Sequence, residues 1–178
     1  PWIHLHKDLV RADPAKLKPV AIEPKQDVAV LQYTGGTTGT PKGAMLTHFN
    51  LVANTLQSNN LLTDKKEGQE RFLSAIPLFH VYGLTTAMLC AVALGATMII
   101  HPDPRDIATL VKLINKQRPT IFPGVPALYI AILNHPLIDK MDLTSVRACI
   151  SGSAPLPFNV KRHFDKVTGG RLVEGYGL

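Results

Sequence analysis

The chain is 178 residues long, 46% hydrophobic and 18% charged, with 19 Lys and Arg against 13 Asp and Glu. That length buries a real core, and the composition is that of a globular, somewhat apolar chain. The surplus of +6 is scattered through mixed clusters such as DKKEGQER and aromatics reach only 6%, which argues against a nucleic-acid binder and suits an acidic small molecule. Cys90 and Cys149 sit in apolar contexts with no metal-ligand spacing, so both read as buried thiols of a reducing compartment. The scattered Met45, Met88, Met98 and Met141, and His48, His101 and His163, form no cofactor or metal pattern.

Residues 1–26 carry prolines and lysines (ADPAKLKPVAIEPKQD) and read as a linker or extended lead-in, with one α/β unit expected over 27–178. VAVLQYT (28–34) is β-rich and unalternated, as a strand covered on both faces would be. After a glycine-rich loop, Thr47 caps a helix with Phe49, Val52, Ala53 and Leu56 on one face. From Phe72 to Pro102 no Lys, Arg, Asp or Glu occurs. This run is long enough to cross a bilayer, but Pro77, His80, Gly83 and Gly95 divide it into strand (RFLSAIP), loop, buried helix (GLTTAMLCAVAL) and strand (ATMIIHP). Asp106 caps a helix striped by Ile107, Leu110, Val111 and Ile114 that stops before Pro119. TIFPG is a short strand, and Pro126 starts a helix running through Leu133. VRACISGS, PFNVKRHFDKVT and RLVEGYG add strand, helix and strand.

Alternation of strand and helix means crossovers, and crossovers mean a largely parallel sheet with helices on both faces. Ligands of such sheets bind beyond the carboxyl ends of the strands. The informative residues fall there: the loop after VLQYT, His80 after LSAIP, SGSAP after RACI, and Tyr176 after RLVEG. Four strand ends on one rim are expected to make a site.

The loop YTGGTTGTPKG has four glycines, four threonines and a lysine, and no acid. Pro41 before Lys42 excludes a Walker loop, and glycines at 35, 36, 39 and 43 exclude the dinucleotide fingerprint. The physics is nonetheless that of an anion grip. Glycines let backbone N–H groups turn inward as a nest, threonine hydroxyls add donors, and Lys42 adds a mobile charge.

YTGGTTGTPKG resembles the signature phosphate loop of the adenylate-forming enzymes. AMLTHFNLVAN, PLFHVYG, GVPALY, DLTSVRACISGSAPLP and EGYGL resemble the same family in the same order, over residues 28 to 178. The wording LQYTGGTTG with KGAMLTH is most similar to bacterial long-chain fatty acid–CoA ligases. Gly35 stands where many members have serine, which reads as a subfamily mark.

The resemblance implies a subdomain of the family's N-terminal domain and a set of roles. Thr34, Gly35, Gly36, Thr37, Thr38, Gly39, Thr40 and Lys42 would wrap the ATP phosphates. Gly152, Ser153 and Ala154 would wall the adenine, with Tyr176 stacking on it and Gly177 beside it. His80 would sit between acyl carboxylate and nucleotide, making Lys42 and His80 the catalytic candidates. Pro123, Gly124, Val125 and Pro126 would help line the acyl tunnel. ATP, Mg2+, a fatty acid and coenzyme A are the implied ligands, in a cytoplasmic enzyme compatible with peripheral contact at the inner membrane face. No metal ligand falls in this stretch.

PWIHLHKDLV at the start is no signal peptide, and the chain stops on EGYGL. Both ends read as cuts in a longer protein, and the isolated piece is expected to be inactive because the resemblance puts the Mg2+-binding acid and a catalytic lysine beyond Leu178. Two other readings fit the same residues: an adenylating enzyme for another acyl or aryl acid, and a nucleotide-binding module without chemistry.

Overall fold

The computed structural model describes residues 18–34 and 41–177. Strand β1 (Val28–Thr34) pairs antiparallel with β2 (Lys42–Thr47), in register from Val30↔Leu46 to Thr34↔Lys42. This corrects two expectations. VAVLQYT is not covered on both faces, since Leu31 is 59% and Tyr33 67% exposed, and the end of the glycine-rich stretch is itself a strand. β-Branched residues set the extended backbone, and a partner a few residues downstream closes a much shorter loop than the dozen or so residues of a parallel crossover.

Helix α1 (His48–Asn60) starts in a capping box. The Thr47 hydroxyl accepts from Asn50 N–H (3.2 Å) and the Asn50 amide oxygen accepts from Thr47 N–H (3.0 Å), which satisfies two otherwise orphaned donors. The face it buries is a further correction. Thr55 and Asn59 are buried, while Phe49, Val52 and Leu56 remain about half exposed. Their donors have partners there: Thr55 donates to Leu51 O (2.7 Å) and the Asn59 amide nitrogen to Cys90 O (3.3 Å), while the Asn59 amide oxygen has none among the described residues.

The main sheet has five strands, β3 (Arg71–Ser74), β4 (Thr97–Ile100), β5 (Ile121–Gly124), β6 (Ala148–Ser151) and β7 (Arg171–Glu174), in the order β4-β3-β5-β6-β7 and parallel throughout. Between β3 and β4 runs α2, a continuous helical stretch of an α turn (Val81–Gly83), a π segment (Leu84–Leu89) and a second α turn (Cys90–Ala93). It closes at Gly95, whose φ is +60°. The later crossovers carry α3 (Ile107–Gln117), α4 (Pro126–Leu133) and α5 (Phe158–Thr168). Asp106 caps α3 by accepting from Thr109 N–H (2.9 Å), and Pro126 occupies the first turn of α4.

Two cores flank the sheet, as period-2 alternation requires. Phe72 and Ile121 face Cys90, Ala91 and Leu94 of α2. Their neighbours Leu73 and Phe122 face the other way, into the larger core of Leu110, Ile114, Tyr129, Ile132 and Phe164 on α3, α4 and α5. Both cysteines are buried and free, and burial pushes the Cys90 thiol up to about 11. No helix among the described residues is long and apolar enough to cross a membrane.

The amino ends of the central strands are stitched by Glu70, only 2% exposed. Its carboxylate accepts from Lys66 N–H (2.6 Å), the Thr120 hydroxyl and the Arg147 guanidinium, and Arg147 also reaches Asp64. Removing one partner of a buried pair leaves an uncompensated charge. Arg147→Ala should therefore cost about 3 kcal/mol in urea unfolding, and adding Glu70→Gln should return part of it. Asp64→Ala, which removes the exposed arm, should cost under about 1 kcal/mol. Equal losses from Arg147→Ala and Asp64→Ala would show that the buried arm contributes nothing of its own.

Candidate active site at a strand-order reversal

β3 and β5 are neighbours in the sheet (Phe72↔Ile121), yet the chain leaves them toward opposite faces, to α2 from β3 and to α4 from β5. Such a reversal opens a crevice beyond the carboxyl ends, where ligands of open α/β sheets bind. Of the four ends expected on one rim, three lie in this sheet. His80 follows β3, Gly152–Ala154 follows β6, and Tyr176 follows β7. The fourth is β5, ending at Gly124, and not β1, which belongs to the separate hairpin. Thr34 and Lys42 are register partners at the loop end of that hairpin. Gly35, Gly36, Thr37, Thr38, Gly39 and Thr40, the heart of the expected phosphate grip, lie outside the described residues.

Backbone hydrogen bonds tie the rim together. Gly152 N–H donates to Gly124 O (3.1 Å), Gly175 N–H to Ser151 O (2.8 Å) and His101 N–H to Ser74 O (2.9 Å). His80 is exposed and caps α2, its Nδ1 accepting from Tyr82 N–H at 3.2 Å. An imidazole that accepts at Nδ1 carries its proton on Nε2 when neutral. Gly124 is buried and Val125, the cap of α4, is half-buried. Tyr176 is 90% exposed, an aromatic face open to a flat ring. Ser74 and Ser151, the last residues of β3 and β6, are buried with hydroxyls that have no partner among the described residues.

Two tyrosines that the sequence reading passed over hold this geometry. Tyr129, fully buried, donates to Phe122 O (2.8 Å) and approaches Ile150 O at 3.0 Å. Tyr82 donates to Ile150 O (2.6 Å) and approaches Gly124 O at 3.1 Å. Burial raises both phenols above their ordinary range, so they remain protonated donors. The signal for Tyr82 was its place two residues after His80 in PLFHVYG. For Tyr129 it was a polar-tipped aromatic amid the apolar run of α4, which is buried only with a partner for its hydroxyl.

The AMP-binding enzyme family model matches residues 3–178. The chain belongs to the AMP-binding enzyme family. It is 50% identical over 177 residues to the long-chain-fatty-acid–CoA ligase of Bacillus subtilis, covering 99% of this chain and 31% of that protein. Its fold is similar to the N-terminal domain of FACL13 from Mycobacterium tuberculosis, with a TM-score of 0.81 at 27% identity over 97% of this chain and 41% of that one. It is also similar to MatB from Rhodopseudomonas palustris, solved with ATP bound, with a TM-score of 0.74 at 33% identity over 85% of this chain and 29% of that one. The chain thus spans about a third of the length of the ligase it matches.

The rim carries one backbone outlier, Ser153, with φ +68°. A left-handed residue with a Cβ costs about 1–2 kcal/mol and persists where surrounding structure dictates it, often at functional sites. Ser153→Gly is expected to leave stability within about 1 kcal/mol of the parent chain, and Ser153→Val to lower it by about 1–2 kcal/mol, in urea titrations. Equal stability of the two variants would mean that the turn relaxes and holds no strain.

Proposed function

We propose that this chain is the nucleotide- and acyl-binding part of a long-chain fatty acid–CoA ligase. The observation that carries the reading is placement: His80, Gly124, Gly152 and Tyr176 leave the carboxyl ends of four adjacent parallel strands at the reversal between β3 and β5. Family membership and 50% identity to a ligase support the chemistry assigned to that rim.

In the reaction, a fatty acid carboxylate oxygen attacks the α-phosphorus of ATP. The bond to the bridging oxygen breaks and pyrophosphate leaves, giving an acyl-adenylate. Coenzyme A thiol then attacks the acyl carbon and AMP leaves. Transfers at phosphorus need little covalent help from protein, so positioning and charge neutralisation dominate. Residues 34–40 would supply backbone N–H and hydroxyl donors to the β- and γ-phosphates, and Lys42 the charge that meets departing pyrophosphate. Gly152, Ser153 and Ala154 would let adenine approach closely, with Tyr176 stacked on it and Gly177 alongside. His80, its Nδ1 accepting from Tyr82 N–H and its Nε2 left to donate, would donate between the carboxylate and the α-phosphate. Gly124 and Val125 would border the acyl chain.

Among the described residues no group of three or more His, Cys, Asp or Glu could hold a metal ion. Magnesium, in this reading, arrives with ATP and supplies charge neutralisation on the phosphates. The 178-residue chain by itself is proposed to form no acyl-adenylate.

The test is pyrophosphate release with ATP, magnesium and palmitate by the intact ligase that carries this segment. Fatty acid-dependent release is expected; release driven equally by an aryl acid would replace the substrate class. In that enzyme, Lys42→Ala should slow adenylation at least about tenfold, the loss of one charge-assisted contact. Single turnovers from pre-made acyl-adenylate should slow less than about twofold, because pyrophosphate has already left. Equal losses in both half-reactions would mean that Lys42 holds the hairpin together.

A further inference from the structure

We propose that Tyr82 is a positioning residue, a strut that sets His80, on the β3 side of the crevice, against the ends of β5 and β6 on the other side; this rests on the role assigned above to His80. Three contacts carry it. First, the backbone N–H of Tyr82 donates to His80 Nδ1 (3.2 Å), so the ring that would touch substrate is oriented by this one residue. Second, the Tyr82 hydroxyl reaches Ile150 O (2.6 Å) and Gly124 O (3.1 Å), at the ends of β6 and β5. Third, the Tyr82 ring lies over Gly152, where an added Cβ would come within 2.9 Å of a ring carbon.

These contacts place Tyr82 where no other described side chain stands: on the turn bearing His80, against the acyl-side carbonyl of Gly124, and against the adenine-side backbone of Gly152. Its hydroxyl proton is already committed to backbone carbonyls, which makes transfer to substrate a poor use of it. A ring wedged between turn and sheet fixes a separation, and a small misplacement of a catalytic group costs rate out of proportion to binding. Gly152 is the complementary half of the device, since any side chain there would push the strut and the His80 turn outward.

The test is a double-mutant cycle in the intact ligase, read beside imidazole 15N spectra of the 178-residue chain. Tyr82→Phe is expected to lower kcat for adenylation about tenfold with KM for ATP changed less than about twofold, the loss of one buried hydrogen bond expressed at the reacting atoms. His80→Ala alone should cost more, and adding Tyr82→Phe to it should cost nothing further, because Tyr82 acts through His80. In the 178-residue chain at pH 8, His80 Nδ1 should show the unprotonated acceptor signal, lost to a tautomer mixture in Tyr82→Phe and in Gly152→Ala. Thermal melts of each variant separate this from unfolding, and Gly152→Ala supplies the answer if Tyr82→Phe does not fold. Additive costs in the cycle, or a His80 signal unchanged in the folded variants, would overturn the strut. Absence of fatty acid-dependent turnover in the unmodified ligase would overturn the ligase reading instead, and the 15N spectra would still decide the strut.

Discussion

Everything at the rim depends on the handedness of crossover connections. From β3 the chain moves to one neighbour, β4, and then returns past β3 to β5, β6 and β7. Right-handed crossovers taken in opposite directions put their helices on opposite faces. That is the observed division: α2 shares a core with Phe72 and Ile121, while α3, α4 and α5 share the other with Leu73 and Phe122. The crevice between the ends of β3 and β5 is a geometric consequence, present before any side chain is chosen. His80 and Gly124 inherit the site from the topology.

Once opened, the crevice exposes the carboxyl ends of short parallel strands, where carbonyls keep acceptor capacity beyond their one backbone partner. Aromatic hydroxyls use part of that capacity. Tyr82 donates to Ile150 O and Tyr129 to Phe122 O, with Gly124 O and Ile150 O close beside them. Satisfied carbonyls make a stiff rim. Stiffness matters where electrostatics carry the chemistry, because donors fixed beforehand cost no reorganisation when charge develops. The buried thiol of Cys149, raised by burial, and the phenols held protonated add no competing nucleophile beneath it.

The sheet was legible because its signals are local. Apolar runs bounded by Pro77, Gly95, Pro119 and Gly124 give strands, and Asp106 and Pro126 mark helix starts by satisfying or removing orphan N–H groups. Two elements were misread for one physical reason. Hydrophobicity says that a segment wants cover but not where cover comes from, so Val28–Thr34 was taken into the parallel sheet and the Phe49, Val52, Leu56 face of α1 into the core. The buried Thr55 and Asn59 show the converse, since their partners, Leu51 O and Cys90 O, are invisible in composition. The placement of His80, Gly152 and Tyr176 after strand ends was legible in their motifs. Tyr82 was not, because its role lies in backbone carbonyls 42 and 68 residues away. The phosphate loop itself rests on sequence alone.

The corner between β5 and α4 limits how an acyl chain could run in the proposed enzyme. A Cβ on Gly124 would lie 2.9 Å from the Tyr129 ring and hydroxyl, so the space behind Gly124 is already filled by a fully buried side chain with both its acceptors engaged. No route passes beneath that residue into the core. What Gly124 offers is a flat backbone edge, and the nearest side chain able to shape an apolar passage is Val125, half-buried at the start of α4. In the acyl-side role proposed for it, Gly124 thus acts through the thinness of its backbone.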